Sequence, residues 1–381
     1  MAGNKWRLLL VDDDEEICEQ VIEGLSGERI AKLDGELKVT TLSSFSAALD
    51  TLDEHKFDLL ILDVRLGTPG DVEMDETAGI RTLGAIQEKR FLPIIFYTAA
   101  PHLVRSLEGP LIRVVEKTEQ IPGLLKAVEG VFNTSLPLVN RALIQHLERI
   151  QCNYMWNFVA QHWNQLESNS DRTSLTYLLA RRLSQSLSRS GIVSLAESMG
   201  YRVTDISDEE ETVHPMEYYI MPPVSKESLA GDIYKGRIAD QEGFWVLLTP
   251  SCDMVPYKGN RKAEWVLLAR CLFFSQQSEY ISWKQSQKGT VPSETKAVVR
   301  NNRSKQPDRY RFLPKALDLP DLVVDFQQLV TMNFVELGSS LERKASLDSP
   351  FAEALISQFS RYFGRLGTPN LNVDAVISRL E

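Results

Sequence analysis

The first third of the chain alternates short apolar runs with segments whose apolar residues recur every three or four positions. The helix-like segments lie at about 14–26, 44–55, 78–89, 101–107 and 119–132. The apolar runs are Arg7–Val11, Leu37–Leu42, Asp58–Leu62, Leu92–Tyr97 and Leu111–Val115. Strands that alternate with helices predict a parallel sheet with helices on both faces. We therefore expect an α/β domain over residues 1–133 with a doubly wound sheet of five parallel strands.

Two helical stripes follow, and they predict a helical hairpin linker over residues 134–200. A polar turn at 169–171 separates the two stripes. The apolar positions are Leu143, Leu147, Ile150, Tyr154 and Phe158 in the first stripe and Leu175, Leu179, Leu183 and Leu187 in the second. The hairpin could make the chain a homodimer, or it could pack against the C-terminal region, and the sequence leaves both roles open.

Short strand-like runs separated by Pro and Gly dominate the last part of the chain. The runs are Glu217–Met221, Gly243–Thr249, Glu264–Phe274, Tyr310–Leu313 and Leu322–Val330. Such spacing predicts a β-rich domain over residues 201–381, built as a small barrel or a curled antiparallel sheet. A terminal helix is expected over about 349–363, because Gly364 and Pro369 follow that segment.

The charge of the chain is unevenly distributed. Over 381 residues, 42 Lys or Arg face 52 Asp or Glu, and the net charge of −10 argues against nucleic-acid binding by the whole surface. Residues 258–315 nevertheless hold thirteen Lys or Arg against four Asp or Glu, a local charge of +9. No apolar run is long enough for a membrane span, and four cysteines without a CxxC pair favour a reducing, cytoplasmic location.

The apolar runs of the first domain end in residues that carry chemistry. Asp12 and Asp13 follow the first run, Asp63 the third, Thr98 the fourth and Lys117 the fifth. Parallel strands bring their carboxyl ends to one edge of a sheet, so these side chains should meet there. Clustered carboxylates suit Mg²⁺, a carboxylate such as Asp63 can attack phosphorus, and a lysine can neutralise a phosphoryl group in transit.

These strand ends resemble the receiver domain of bacterial response regulators. The resemblance rests on the segments Leu8–Asp14, Leu60–Leu66, Tyr97–Ala99 and Val115–Lys117, in this order. It implies a flavodoxin-like fold in which Asp63 is the phosphoacceptor and a sensor histidine kinase is the phosphoryl donor of a phosphorelay. It also implies that Asp12, Asp13 and Asp63 hold Mg²⁺, that Thr98 is the switch hydroxyl and that Lys117 pairs with the phosphate.

Three positions depart from that family pattern. Thr118 stands where the family usually has a proline after the lysine, and Val114 stands where an aromatic switch residue is common. The segment between Asp63 and Gly79 is longer than usual and includes an acidic flap at 67–78. The flap could gate access to Asp63 or could be a solvated insertion.

The output of the C-terminal region is less defined. No helix-turn-helix pattern is present, which disfavours a promoter-binding regulator. Gly231–Tyr234 and Phe244–Asp253 faintly resemble SH3-like barrels of the PemK/MazF toxin type. The candidate output residues are Cys252, Asp253, Arg309 and Arg311. Cations interleaved with aromatics over 258–315 are compatible with nucleic acid, with a protein ligand, with docking onto the acidic first domain, or with a solvated surface.

The sequence therefore predicts a two-component response regulator that is phosphorylated on Asp63 and controls a binding output. Two alternatives remain: a nuclease-like enzymatic output, and a scaffold whose receiver takes no phosphate.

Overall fold

The structure, a computed structural model, describes most of the chain as two compact units, residues 1–205 and 206–381. It describes residues 5–30, 35–65, 78–164, 172–187, 191, 195, 212–256, 258, 260–286, 289–365 and 371–380. Within these ranges, no helix is both long and apolar enough to cross a membrane. The domain boundaries at 133 and 200 remain predictions. The acidic flap at 67–78 lies almost wholly outside the described residues.

The N-terminal unit contains the predicted five-stranded parallel sheet. Its strands follow the order β2-β1-β3-β4-β5, and every neighbouring pair is parallel. The strands are β1 Lys5–Val11, β2 Glu36–Leu42, β3 Leu59–Leu62, β4 Ile94–Thr98 and β5 Ile112–Glu116. The fully buried residues of β3 and β4 explain why those runs are continuously apolar rather than alternating.

Helices cover both faces of this sheet. One apolar cluster joins the sheet to α1 (Glu15–Leu25) and α4 (Gln120–Asn133), and a second joins it to α2 (Phe45–Glu54) and α3 (Ala78–Lys89). The helix predicted over 101–107 is wrong in form, because the chain makes two short 3-10 turns there. A segment that begins at Pro101 and soon meets Gly109 and Pro110 is too short to sustain an α-helix.

The linker begins with α5 (Leu136–Tyr154), which packs on the amino-terminal edge of the sheet. The guanidinium of Arg141 lies 3.6 Å above the ring of Trp6, forms an ion pair with Asp58 and donates a hydrogen bond to the Lys5 carbonyl at 2.9 Å. A π-helical turn, Met155–Val159, extends α5, and α6 (Arg172–Ser186) packs beside it. Trp156 and Trp163 are exposed, and the homodimer remains a prediction.

The C-terminal unit is an antiparallel seven-stranded sheet with the order β10-β11-β9-β8-β7-β12-β6. Its strands are β6 Tyr219–Ile220, β7 Asp232–Ile238, β8 Gln241–Leu247, β9 Trp265–Phe273, β10 Tyr310–Leu313, β11 Leu322–Asn333 and β12 Leu341–Leu347. The two end strands β10 and β6 do not pair, but the Tyr219 hydroxyl donates to the Pro314 carbonyl at 2.6 Å. The sheet is therefore curled, as the β-rich pattern predicts, and its two edges meet at a seam.

Helices connect several strands of this unit and follow the last of them. They are α7 Ser251–Met254, α8 Ser278–Gln285, α9 Ser293–Val299, α10 Phe334–Ser340, α11 Phe351–Phe363 and α12 Val373–Ile377. The terminal helix α11 agrees with the prediction, and its Leu355 and Tyr362 enter the core inside the curl. The sequence pattern missed α8 and α9, because each has fewer than nine residues and neither carries a long apolar stripe.

Candidate functional site

Three of the predicted strand-end residues meet at one point on the carboxyl edge of the parallel sheet. Asp12 follows β1, Asp63 follows β3 and Lys117 follows β5. The ammonium nitrogen of Lys117 lies 2.7 Å from Asp63 Oδ2 and 2.8 Å from Asp12 Oδ2. The parallel topology therefore converts three distant sequence positions into one cluster of two carboxylates and one cation.

The carboxyl of Asp12 is buried, and this sets its ionisation. Burial, which penalises the charged form, is the main reason that the pKa of Asp12 rises to about 6. The neighbouring Asp63 charge adds to this rise, while Lys117 opposes it. Oδ1 accepts a hydrogen bond from the Asp14 amide at 3.1 Å, whereas Oδ2 is buried and faces Lys117 without a hydrogen bond of good geometry.

Lys117 remains a strong cation in this setting. Burial acts to lower its pKa, but the two carboxylates outweigh burial, so the pKa lies above its usual value. The lysine therefore keeps its positive charge at the point where Asp12 and Asp63 converge.

Each carboxylate oxygen of Asp63 has its own hydrogen-bond donors. Its Oδ1 accepts hydrogen bonds from the amides of Val64 at 2.6 Å and Arg65 at 3.4 Å. Its Oδ2 points to Lys117, and the residue is 8% exposed. This arrangement fixes the orientation of the carboxylate while leaving an oxygen beside a cation, as a nucleophile toward phosphorus requires.

Thr98 ends the neighbouring strand β4. It is buried, and its hydroxyl accepts a hydrogen bond from the Ala100 amide at 3.1 Å.

Two positions near the site depart from the family pattern, Val114 and Thr118. Val114 packs in the apolar cluster of α2 and α3. After Lys117, the Glu119 carboxylate accepts a hydrogen bond from the Glu116 amide at 3.2 Å. That contact orders the lysine loop without a proline at Thr118.

Of the predicted metal ligands, the structure brings Asp12 and Asp63 together at Lys117, and coordination of Mg²⁺ by Asp12, Asp13 and Asp63 remains a prediction. Asp13 is exposed, and the described part of the chain contains no group of three acidic, histidine or cysteine side chains placed to hold a metal ion. The oxygen chemistry nevertheless fits Mg²⁺, because the buried Oδ2 of Asp12 lacks a well-aligned donor and lies beside Asp63.

Gly79 is a positioning residue whose role the sequence pattern did not reveal. It lies in the first turn of α3, and a Cβ at this position would stand 2.4 Å from the Asp63 carbonyl oxygen. Its amide donates to the Val64 carbonyl at 3.1 Å. A side chain here would therefore press on the backbone that carries the Asp63 carboxylate.

We expect Gly79→Ala to slow phosphoryl uptake at Asp63 by about tenfold, because a small displacement of a reacting group costs this much or more. Gly84→Ala is the matched control, since it lies in the same helix with nothing within 4 Å of its added Cβ. The control should keep the wild-type rate and stabilise α3 by about 0.5–1 kcal/mol. Rates of intact-mass change with a small phosphodonor measure both variants, and equal rates for the two would contradict the role of Gly79.

A comparison with protein families identifies the part of the N-terminal unit that carries this cluster. The family model described as "Response regulator receiver domain" matches residues 8–129. Residues 8–129 form a response regulator receiver domain. The carboxylate–lysine cluster lies at the carboxyl edge of this domain, and the receiver domain supports assignment of the chain to two-component signalling.

Solved structures that are similar to part of this chain include a response regulator, a signal receiver domain and full-length FixJ. TrrA from Thermotoga maritima, solved with Mg²⁺ and BeF, is 25% identical over 33% of this chain and 98% of its own, with a TM-score of 0.27. A signal receiver domain from Pseudomonas fluorescens Pf-5 is 22% identical over 34% and 97%, also at 0.27. Full-length FixJ from B. japonicum is 19% identical over 51% and 97%, at 0.27. A search of curated proteins finds no match.

The candidate output residues do not form one described cluster. Cys252 and Asp253 lie in α7, after β8, and the thiol is exposed 3.7 Å from the Asp253 carboxylate. Arg309 precedes β10 and forms a two-point ion pair with Asp325, at 2.7 and 2.8 Å. Arg311 lies on β10, and strands β11 and β9 stand between β10 and β8 in the sheet.

The basic stretch 258–315 is partly neutralised within its own unit. Arg261 pairs with Glu227 at 3.0 Å and Arg303 pairs with Glu279 at 2.8 Å. Lys296, Arg300 and Lys305 are exposed on and after α9. The unpaired positive charge of residues 258–315 is therefore smaller than the count of Lys and Arg in this stretch indicates.

Proposed function

We propose that the chain is a two-component response regulator in which a sensor histidine kinase phosphorylates Asp63. The observation that carries the proposal is the position of the Lys117 ammonium, within 2.8 Å of both Asp63 and Asp12. A lysine held between two carboxylates at the carboxyl edge of a receiver sheet is placed to stabilise negative charge that arrives at Asp63.

In the proposed reaction, a carboxylate oxygen of Asp63 attacks the phosphorus of the donor. A new O–P bond forms as the P–N bond to the kinase histidine breaks, and the imidazole leaves with the bond electrons. The Val64 amide holds the other oxygen of Asp63 in place, so the nucleophile needs little reorientation. Lys117 then pairs with the transferred group, and the Thr98 hydroxyl gives up its contact with the Ala100 amide to meet it.

We propose Asp12, Asp13 and Asp63 as the residues that hold Mg²⁺. When bound, the ion neutralises charge on the phosphoryl oxygens and orients them. The chain itself supplies oxygen ligands, and the poorly satisfied Oδ2 of Asp12 is a position that a hard cation would satisfy.

The proposed output is binding of nucleic acid or a protein ligand by the curled C-terminal sheet, at a surface within residues 258–315. The exposed cations on and after α9 support this proposal, because the ion pairs among the described residues of the unit use other side chains.

Phosphorylation of Asp63 is tested by incubating the full chain with a small phosphodonor and Mg²⁺. We expect the intact mass to rise by one phosphoryl group. Substitution of Asp63→Asn and chelation of Mg²⁺ should each abolish this increase. Asp53→Asn is the control, because Asp53 is an exposed residue of α2 whose carboxylate pairs with Lys89. Uptake by Asp63→Asn at the wild-type rate would contradict the proposal.

A further inference from the structure

Several arginines of the C-terminal unit are held closely by carboxylates, and Arg311 has no such partner among the described residues. Four arginines of this unit have an acidic partner within 3.0 Å. The pairs are Arg261–Glu227, Arg303–Glu279, Arg309–Asp325 and Arg343–Asp232. Among the described residues, Arg311 makes only a long contact of 3.4 Å from Nη1 to the side-chain oxygen of Gln358. No carboxylate of the described residues therefore forms an ion pair with Arg311.

Arg311 lies at the seam where the two edges of the curled sheet approach each other. It is the second residue of the edge strand β10, and the Tyr219 hydroxyl of the opposite edge strand reaches Pro314, just after β10. Gln358 projects from α11, whose Tyr362 is part of the core inside the curl. Tyr218, directly before β6, stacks on Phe351 of α11 with ring centroids 3.9 Å apart, so β10, β6 and α11 come together at this seam.

The atoms of the guanidinium are unequally satisfied. Nε is buried and donates no hydrogen bond within the described residues. Burial lowers the pKa of Arg311, Tyr218 acts in the opposite direction, and the nearby positive charge of Arg361 lowers the pKa further. Arg361 is largely exposed, and it lies one turn after Gln358 on α11: its Nη1 donates to the Ser357 hydroxyl at 3.1 Å, and its Nη2 lies 3.6 Å from the Asp308 carboxylate.

A half-buried arginine without a counter-charge destabilises the folded protein. Its planar guanidinium can donate two hydrogen bonds to the oxygens of one anion. We propose that Arg311 is the centre of an anion-binding site at the sheet seam that takes a phosphate group, with Arg361 and the Tyr218 hydroxyl as further ligands. Two guanidinium groups favour a phosphate over a carboxylate, because a phosphate carries more charge and more acceptor oxygens. The phosphate could belong to a polynucleotide or to a small free ligand.

The site deepens the proposed output function but does not depend on phosphorylation of Asp63. It is tested on the full chain, without Mg²⁺, by hydrogen exchange and mass spectrometry with inorganic phosphate as the probe. We expect phosphate to slow exchange in Tyr310–Leu313 and Phe351–Phe363. In Arg311→Met, the concentration of phosphate needed should rise by about tenfold or more, as loss of a charged hydrogen-bond donor implies. Lys126→Met should respond like wild type, because it removes one exposed charge of the receiver and leaves the seam intact.

A second readout separates a ligand site from a structural arginine. Without phosphate, the amides of β10 should exchange no faster in Arg311→Met than in the wild type, because removal of an unpaired buried charge is neutral or stabilising. Arg300→Gln, which removes one exposed charge of the same basic stretch, should change neither readout. Equal phosphate responses in Arg311→Met and wild type, or faster exchange of β10 in ligand-free Arg311→Met, would overturn the proposal.

Two further probes identify the source of the phosphate. An acetate titration should protect the seam much less than phosphate does, and equal protection by acetate would overturn the assignment to phosphate. A single-stranded oligonucleotide that protects the seam at lower concentration than phosphate, and needs Arg311, would support a polynucleotide ligand. Protection by inorganic phosphate but not by the oligonucleotide would support a small free ligand.

Discussion

Replacement of Arg309 by Met is expected to destabilise the C-terminal unit by about 3–5 kcal/mol, the usual cost of breaking a buried ion pair from one side. The Arg309 guanidinium donates two hydrogen bonds to Asp325, at 2.7 and 2.8 Å, and the Asp325 side chain is 1% exposed. Without Arg309, the carboxylate would remain buried between β10 and β9, and the Gln327 amide and the Gln328 side chain would be its donors among the described residues.

The loss of stability in Arg309→Met should depend on pH, and the direction follows from the pKa of Asp325. Burial acts to raise the pKa of Asp325, but hydrogen bonds from Arg309, Gln327 and Gln328 outweigh it and hold the pKa below its ordinary value. A lowered carboxyl pKa contributes stability that is present above the unfolded pKa and is lost as pH falls through the folded pKa. In Arg309→Met, burial should raise the pKa instead, so the stability deficit relative to wild type should shrink as pH falls toward 4.

Hydrogen exchange of β11 (Leu322–Asn333) measures this local stability. The double variant Arg309→Met with Asp325→Leu should recover most of the loss, because it removes both charges. If Arg309→Met leaves the exchange of β11 unchanged at pH 7, the pair is not structural and the earlier prediction of Arg309 as an output ligand regains support.

The second large effect is expected at Lys117. Lys117→Met should slow phosphoryl uptake by about a hundredfold or more, because loss of one charge-stabilising donor commonly costs this much. The same change leaves Asp12 and Asp63 facing each other without a cation, so the receiver should also lose stability in the absence of Mg²⁺. Added Mg²⁺ should restore more stability to Lys117→Met than it gives to the wild type.

Lys126→Met is the matched control, because Lys126 is an exposed lysine of α4 and the change removes the same charge. Rates of intact-mass increase and thermal unfolding with and without Mg²⁺ test both variants. A Lys117→Met protein with the rate and Mg²⁺ response of Lys126→Met would show that the lysine does not act on the phosphoryl group.

The receiver fold and its cluster were accessible from sequence because both depend on local rules. Apolar runs between helical stripes predict parallel strands, and the strand-end rule then brings Asp12, Asp63 and Lys117 together without any side-chain coordinates. The close approach of Gly79 to Asp63 was not accessible, because it depends on how α3 enters after a long intervening segment. The exposed setting of Asp13 also lies beyond a strand-end argument.

The C-terminal unit was harder to predict because its order comes from long-range pairing. Strand β12 carries only Leu341, Ala345 and Leu347 as buried apolar residues, so its sequence does not distinguish it from a polar loop. Arg309 and Arg311 are two residues apart and look alike in sequence. Only the sheet register, which places Tyr310 opposite Asp325 and Arg311 opposite Val324, shows that one arginine has a carboxylate and the other does not.

The central claim is that Asp63 is the phosphoacceptor of this receiver domain. The most direct test is to phosphorylate the full chain with a small phosphodonor and Mg²⁺ and then reduce it with borohydride, which converts an aspartyl phosphate into homoserine. Tandem mass spectrometry of the peptides should locate homoserine at position 63, in a Mg²⁺-dependent amount. Homoserine at Asp12 or Asp13 instead, or at none of the three after full exposure to the donor, would contradict the account.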